Sequence, residues 1–411
     1  MELEVLKMYI RRPVFFAALA MLSSCLALAQ DVAPDPEKPG PYPVGVTTMQ
    51  FVDHSRTDAV TNKDRSLLTE IWYPATDDSK GLPKNRLLDF FLKGSDGNLP
   101  ILFQLAFKVD INAIDKTFKN FGVRDARIRD GKFPLILFSH GNGGMRSQGV
   151  FLCEHLASHG YIVAAPDHTA NSAVTFVDGE MIAMNPEIRE QAAKDRPLDI
   201  RFLIDTFDRL NKGADSRFLG RVDMDKIGVA GHSFGGYTST WIADTEPRVD
   251  AILPLAGCGK ERVNYTMPVM VMVGAEDDTI KLEGNDRLRK YYEESKGPHY
   301  LVEFKNGGHY SFTEMYQFKP DFGDGVGEGV RLTNGQPVKY VTMDVAFPII
   351  NGYATAFFGK YVKGVQGYDG YLSANRNEKE LIVKSEPNPA PPAPAAVPAP
   401  ATATPAAAAA K

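Results

Sequence analysis

Residues Lys226–Trp241 read KIGVAGHSFGGYTSTW. A short apolar run leads into Gly231-His232-Ser233-Phe234-Gly235, and a helical pattern follows. A serine placed where a strand bends directly into a helix is held in a strained backbone conformation. That strain is tolerable only if the residues two before and two after it carry no Cβ. The bend lifts the hydroxyl off the sheet edge, and the helix N-terminus behind it offers positive potential to a developing oxyanion. Ser233 is therefore the candidate nucleophile, provided that the flanking chain supplies a parallel sheet with crossover helices.

It does so by pattern. VGVTTMQFVD and LLTEIWYPA predict an opening antiparallel pair, and FPLILFSHG, YIVAAPD, KIGVA, AILPLAG, PVMVMVGA and HYLVEFKN predict buried strands. Helical patterns lie between them: SQGVFLCEHLASHG, RPLDIRFLIDTFDRLN (opened by Pro197 at its first position), GYTSTWIADT and NDRLRKYYEES. A last helix falls near VAFPIINGYATAFFGKYV. The strand runs are continuously apolar, as strands covered on both faces must be. The expected fold class is α/β, a mostly parallel central sheet with helices on both faces.

Two segments interrupt the rhythm. Residues 82–128 are apolar and helical in pattern, and either form a lid-like insertion over the sheet's carboxyl edge or pack against the core. Residues 171–196 are polar and read as a loop. No repeat and no internal Gly/Pro linker divides the chain, so one domain is expected over residues 42–385. The Pro/Ala tract of 386–411 cannot bury a core and is expected to be a disordered tail.

The chain has 411 residues, 44% hydrophobic and 24% charged, with a net charge of −5. That balance suits a soluble globular protein and argues against a nucleic-acid partner. No P-loop, dinucleotide fingerprint or zinc motif occurs, so no cofactor or metal is implied; DFGDGVGEG from Asp321 lacks the ligand spacing of a calcium loop. Lys7, Arg11 and Arg12 precede VFFAALAML and then SSCLALAQ. Residues 1–29 thus read as an export signal, which places the protein in the periplasm or outside the cell. A rival reading makes LSSC a lipoprotein box with anchoring at Cys25. The remaining cysteines, Cys153 and Cys258, read as small buried hydrophobes rather than a disulfide framework.

A serine hydroxyl needs a base, and the base needs an orienting acid. Following the elbow, the order should be serine, acid, histidine. Of the eight histidines only His299 and His309 follow both Ser233 and a candidate acid. His299 opens a strand, on the wrong edge of the sheet. His309 follows the strand's carboxyl end, after Gly307 and Gly308, and is the expected base. VMVGAEDDTI offers Glu276, Asp277 and Asp278 after the preceding strand, and Asp278 is favoured over Asp277 as the acid. The oxyanion donors expected are the N–H groups of Phe234 and of Asn142, in the glycine-rich SHGNGGMRSQG turn. His168 is a candidate substrate-pocket residue at the end of its strand.

PLILFSHGNGGMRSQ, HLASHGYIVAAPDHT and KIGVAGHSFGGY resemble the platelet-activating-factor acetylhydrolase and dienelactone-hydrolase-like branch of the α/β-hydrolases. The likeness covers most of residues 44–365. GAEDDTI followed by GGHYSF is similar to bacterial cutinase-type polyesterases, whose aspartate aligns with Asp278. The resemblance implies metal-free cleavage of carboxylic esters, with Ser233 as nucleophile, His309 as base, Asp278 as acid, and Asn142 and Phe234 as oxyanion donors. One departure stands out. The animal acetylhydrolases carry their acid after the strand that here reads ILPLAGCG and holds no carboxylate. Dienelactone hydrolases proper use a cysteine where this chain has Ser233. The expectation is an exported serine esterase acting on short acyl esters, with lipid and polyester substrates as candidates. Contact with a membrane surface or polymer would run through the 82–128 insertion, and a peptidase or amidase is the alternative.

Overall fold

The computed structural model describes residues 33–92, 101, 104, 108–214, 216–259 and 266–389. The expected export signal, Cys25 and the Pro/Ala tract from residue 390 onward lie outside the described residues, as do 93–100, 102–103 and 105–107 within the insertion.

The strands are β1 (Val44–Thr57), β2 (Asp64–Pro74), β3 (Val123–Arg124), β4 (Phe133–Ser139), β5 (Ile162–Pro166), β6 (Val174–Val177) and β7 (Glu180–Ala183). After them come β8 (Val222–His232), β9 (Ala251–Leu255), β10 (Val269–Gly274), β11 (His299–Phe304), β12 (Glu328–Val330), β13 (Pro337–Lys339) and β14 (Leu381–Glu386). Ten of them form one sheet in the order β14-β11-β10-β9-β8-β4-β5-β2-β1-β3. From β5 to β11 the neighbours run parallel. β1 and β2 form the expected antiparallel pair, and β14 joins β11 antiparallel at the far edge.

Alternate side chains of the continuous apolar runs feed two cores. Ile136, Phe138, Val163 and Met272 face one side, packed with helices Val150–Ser158 and Met343–Phe358. Leu135, Leu137, Ile162 and Val271 face the other, packed with Arg189–Lys212, Phe234–Thr245 and Lys281–Glu293. Burying each such side chain stabilises the fold by roughly 1.5–3 kcal/mol. The chain leaves β4 toward β5 and then crosses back to β8, so the carboxyl ends of β4 and β8 flank a switch point, where parallel sheets open a crevice.

The described part of the 82–128 insertion is embedded at a few apolar residues. Leu87, Phe90, Phe91 and Ile111 join the core beside Trp72 and Phe138, with the Phe90 and Trp72 rings 6.4 Å apart. Elsewhere the chain departs from its sequence reading. Residues 171–196 are not simply a loop: β6 and β7 form a hairpin around Asp178 (φ 52°) and Gly179 (φ 82°), two successive left-handed residues as a tight turn requires. The following helix begins at Arg189, so Pro197 lies inside it rather than at its start. Proline removes one helical hydrogen bond there. Ile200, Leu203, Ile204 and Phe207, all buried against the sheet, hold the helix regardless. Among the described residues no helix is long and apolar enough to cross a membrane.

Candidate active site

β8 ends at His232, and the helix Phe234–Thr245 starts one residue after Ser233. Ser233 has φ 57° and ψ −115°, a conformation that L-residues rarely adopt. The chain passes so closely here that a Cβ on Gly231 would lie 2.3 Å from Gly235 backbone atoms. One on Gly235 would lie 1.8 Å from the Ser139 carbonyl oxygen. The glycines are thus a steric condition of the bend. Ser233 itself is half-buried, and its hydroxyl has no hydrogen-bond partner among the described residues.

His309 leaves β11 through Gly307 and Gly308 and is only 3% exposed. Its Nδ1–H donates to Asp277 Oδ2 at 2.7 Å, which leaves Nε2 unprotonated. The other oxygen of Asp277 accepts the N–H groups of Thr279 (3.1 Å) and Ile280 (2.9 Å), fixing the carboxylate at the turn before the helix Lys281–Glu293. Burial raises the proton affinity of Asp277, and the contact with His309 opposes that rise.

The expectation of Asp278 as the acid is corrected by this geometry. Its side chain is 56% exposed and pairs with Lys281 Nζ at 2.6 Å. The turn tightens around the inward carboxylate of Asp277, which sends the next side chain out to solvent.

Asp324 braces both turns. Its Oδ1 accepts the N–H of Asp278 (2.8 Å) and the N–H of His309 (3.0 Å), and its Oδ2 accepts the hydroxyl of Thr279 (2.7 Å). His232 ties the elbow to the same loop. Its Nε2–H donates to the His309 carbonyl (2.9 Å), and the two rings lie 4.7 Å apart. Nδ1 of His232 accepts from Gln148 Nε2 (3.3 Å), while Gln148 Oε1 accepts the Gly141 N–H (2.6 Å). Burial holds His232 neutral, well below the usual imidazole range.

In the Gly141–Gly144 turn three N–H groups are engaged: Gly141 with Gln148, Gly143 with the Asn171 carbonyl (3.1 Å) and Gly144 with the Gly141 carbonyl (3.1 Å). The Asn142 N–H has no such partner among the described residues, nor has that of Phe234 at the head of its helix. Arg196 clamps this turn from below. Its guanidinium donates to the carbonyls of His140 (2.5 Å) and Gly141 (3.0 Å) and to Asn171 Oδ1 (2.8 Å), and lies 4.5 Å over the Phe234 ring. Burial lowers its proton affinity to about 9, so it remains cationic at neutral pH.

His168 does not line a pocket. It is fully buried, with Nε2 2.9 Å from Ser139 Oγ and Nδ1 2.9 Å from Asp199 Oδ2. Ser139, His168 and Asp199 are thus joined in a serine–histidine–aspartate relay, but Ser139 is 0% exposed. Asp199 is also claimed by Arg65 (2.7 Å) and Arg56 (2.8 Å), and burial pushes the His168 imidazole down to about 3. No substrate reaches that serine. Sequence reading missed Asp324, Arg196 and Gln148. Only Gln148 had a local signal, the glycine-rich turn it closes.

The family model of platelet-activating factor acetylhydrolase, isoform II, matches residues 29–194, and that of PET hydrolase-like proteins matches 128–318. The second span contains Ser233, Asp277 and His309. Platelet-activating factor acetylhydrolase of Cavia porcellus is 24% identical over 384 residues, covering 85% of this chain and 82% of its own length. Cutinase est2 of Thermobifida alba is 29% identical over 150 residues, covering 36% of this chain and 43% of its own. The solved ferulic acid esterase from Streptomyces cinnamoneus superposes with a TM-score of 0.64 at 23% identity, over 84% of this chain and 96% of that one. With the sheet order and these relatives in hand, the chain has the α/β-hydrolase fold and is similar to acetylhydrolase and cutinase esterases.

Proposed function

We propose that Ser233, His309 and Asp277 form the triad of a serine-dependent carboxylic ester hydrolase that works through an acyl-enzyme. That the chain is a carboxylic ester hydrolase rests on its kinship with an acetylhydrolase and a cutinase, and on the PET hydrolase-like match over 128–318, which holds these residues. The single observation that carries the assignment of roles is the buried 2.7 Å contact between His309 and Asp277 beside the strained Ser233 elbow.

In this reading Ser233 Oγ attacks the ester carbonyl as its proton passes to His309 Nε2. The carbonyl oxygen takes up the negative charge and rests on the N–H groups of Asn142 and Phe234. Collapse breaks the bond to the alkoxy oxygen, which leaves as alcohol with the proton from Nε2. A water then gives a proton to Nε2 and adds to the acyl carbon; as the bond to Ser233 Oγ breaks, Nε2 returns that proton to the serine oxygen and the carboxylic acid departs. Asp277 stays ionised throughout and stabilises the imidazolium. The buried Arg196 charge beneath the loop favours the same oxyanion. Substrates are short acyl esters, and residues 1–29 direct export.

Turnover of nitrophenyl acetate against its anilide analogue, with Ser233→Ala alongside, tests the reading. Ester cleavage should exceed anilide cleavage, and Ser233→Ala should lose about 10⁴-fold or more in kcat with an unchanged circular dichroism spectrum. Faster anilide turnover, or a variant as active as the parent, would reject it.

A further inference from the structure

A cavity of about 110 Å³ opens beside the glycine turn, on the side of Gly143 and Gly144. It is one residue removed from the elbow: Gln148 lines it and also accepts the Gly141 N–H, and a Cβ on Gly141 would lie 3.4 Å from Ser233 Cβ. Its walls come from four separate segments. Leu87, Phe91 and Phe118 belong to the 82–128 insertion, Met315 and Phe318 to the stretch after His309, Met145 to the glycine turn, and Ala173 immediately precedes β6. The Phe118 and Phe318 rings meet at 6.1 Å, joining the first two segments.

The helix Val150–Ser158 anchors those two walls through buried carboxylates. Glu154 accepts the N–H groups of Phe121 (2.7 Å) and Gly122 (2.9 Å), just past Phe118. Glu314 accepts those of Gly149 (3.0 Å) and Phe151 (2.8 Å), just before Met315. The walls are therefore fixed in place and do not hang loosely from the fold.

We propose that this cavity receives a short, uncharged alkyl arm of the ester, and that the insertion sets its length limit. This rests on the ester-hydrolase reading above. The chemistry of the walls selects the class. Among the described residues no lysine or arginine lines the cavity to pair an anion, and its one acidic side chain is Glu314, so an anionic headgroup or a free carboxylate is turned away. The size sets the limit. A dry cavity of about 150 Å³ accommodates benzene, so 110 Å³ accepts a chain of a few carbons and no fatty acyl tail.

Two series of esters test this: nitrophenyl esters from acetyl to octanoyl, and acetates of alcohols of the same lengths. Whichever series responds identifies the arm as acyl or alkoxy. In the wild type kcat/KM should peak at a few carbons in that series and fall at least 10-fold by eight. Phe318→Ala should shift the peak to longer chains, and Ala173→Phe should shift it to acetyl. Met315→Trp serves in place of Ala173→Phe if that variant does not fold. If the folded variants cleave nitrophenyl acetate yet both length profiles stay as in the wild type, the cavity is not the subsite. If the wild type cleaves no ester in either series, the hydrolase reading itself fails.

Discussion

Asp324 grips His309 by its backbone: the carboxylate oxygen that accepts the His309 N–H at 3.0 Å also accepts the N–H of Asp278 at 2.8 Å. One side chain from a separate loop thus fixes the spacing between the turn that carries Asp277 and the turn that carries His309. Asp324 sits at φ 46°, and it touches neither the imidazole nor a reacting atom. It is a positioning residue. Asp324→Ala should lower kcat by roughly 10–100-fold with little change in KM, since small displacements of a catalytic group cost that much. Asp324→Asn, which keeps one acceptor oxygen, should recover part of the loss. Steady-state kinetics on nitrophenyl acetate decide it, and equal activity of all three proteins would contradict the role.

Asp277→Asn should cost about 10⁴-fold in kcat, because the amide would hold the imidazole in the wrong tautomer. Asp278→Asn should stay within about 2-fold, since it removes only an exposed pair with Lys281. The same assay compares them directly. A larger loss at Asp278 would restore the sequence-based choice.

Arg196→Lys keeps a charge but cannot reach the His140 and Gly141 carbonyls and Asn171 together. The glycine turn should relax, and the Asn142 N–H should lose its aim. We expect kcat to fall about 10–10²-fold, below the loss from deleting an oxyanion donor outright. A variant with wild-type kcat would show that the turn holds itself.

Five histidines, His140, His155, His159, His168 and His232, are buried with proton affinities lowered by that burial. In the unfolded chain they titrate near 6.5. Their contribution to stability is therefore complete above that value and is lost as the pH falls toward their folded values, about 4 for His155 and about 3 for His168. Glu154 and Glu314, raised to about 7 by burial, act in the opposite sense: their contribution is complete below the ordinary carboxyl range and lost as the pH rises through 7. Burial raises Asp167, Asp195, Asp250 and Asp277 in the same sense as the two glutamates but from a lower ordinary value, so the histidines weigh most between pH 7 and pH 5 and the melting temperature should drop there. Calorimetry at the two values checks this, and a higher melting temperature at pH 5 would contradict it.

The elbow was legible because its constraint is local: glycines at 231 and 235 are a property of the sequence string, and so is the apolar run before them. The sheet was legible for the same reason, as continuous apolar runs admit few other arrangements. The β6–β7 hairpin carried its own signal in Asp178-Gly179 between β-prone residues, and was overlooked beside the polar residues around it. Asp277 against Asp278 was decided by the direction of one turn, which depends on backbone N–H groups that composition does not display. Pro197 marked no helix start because burial of the next turns outweighed its local preference. Asp324, Arg196 and the inert Ser139–His168–Asp199 relay depend on contacts between distant segments and have no mark in the local sequence. β14 was missed because Leu381–Glu386 is a short edge strand beside the Pro/Ala tract.

Because Ser139 is joined to a histidine while Ser233 is the proposed nucleophile, one measurement is decisive. Folded protein is treated with a fluorophosphonate, digested, and the adduct located by mass spectrometry. The open, strained Ser233 should carry the label stoichiometrically, and hydrolysis of nitrophenyl acetate should be lost in proportion. A label on Ser139, or an unlabelled protein that still cleaves the ester, would contradict the account.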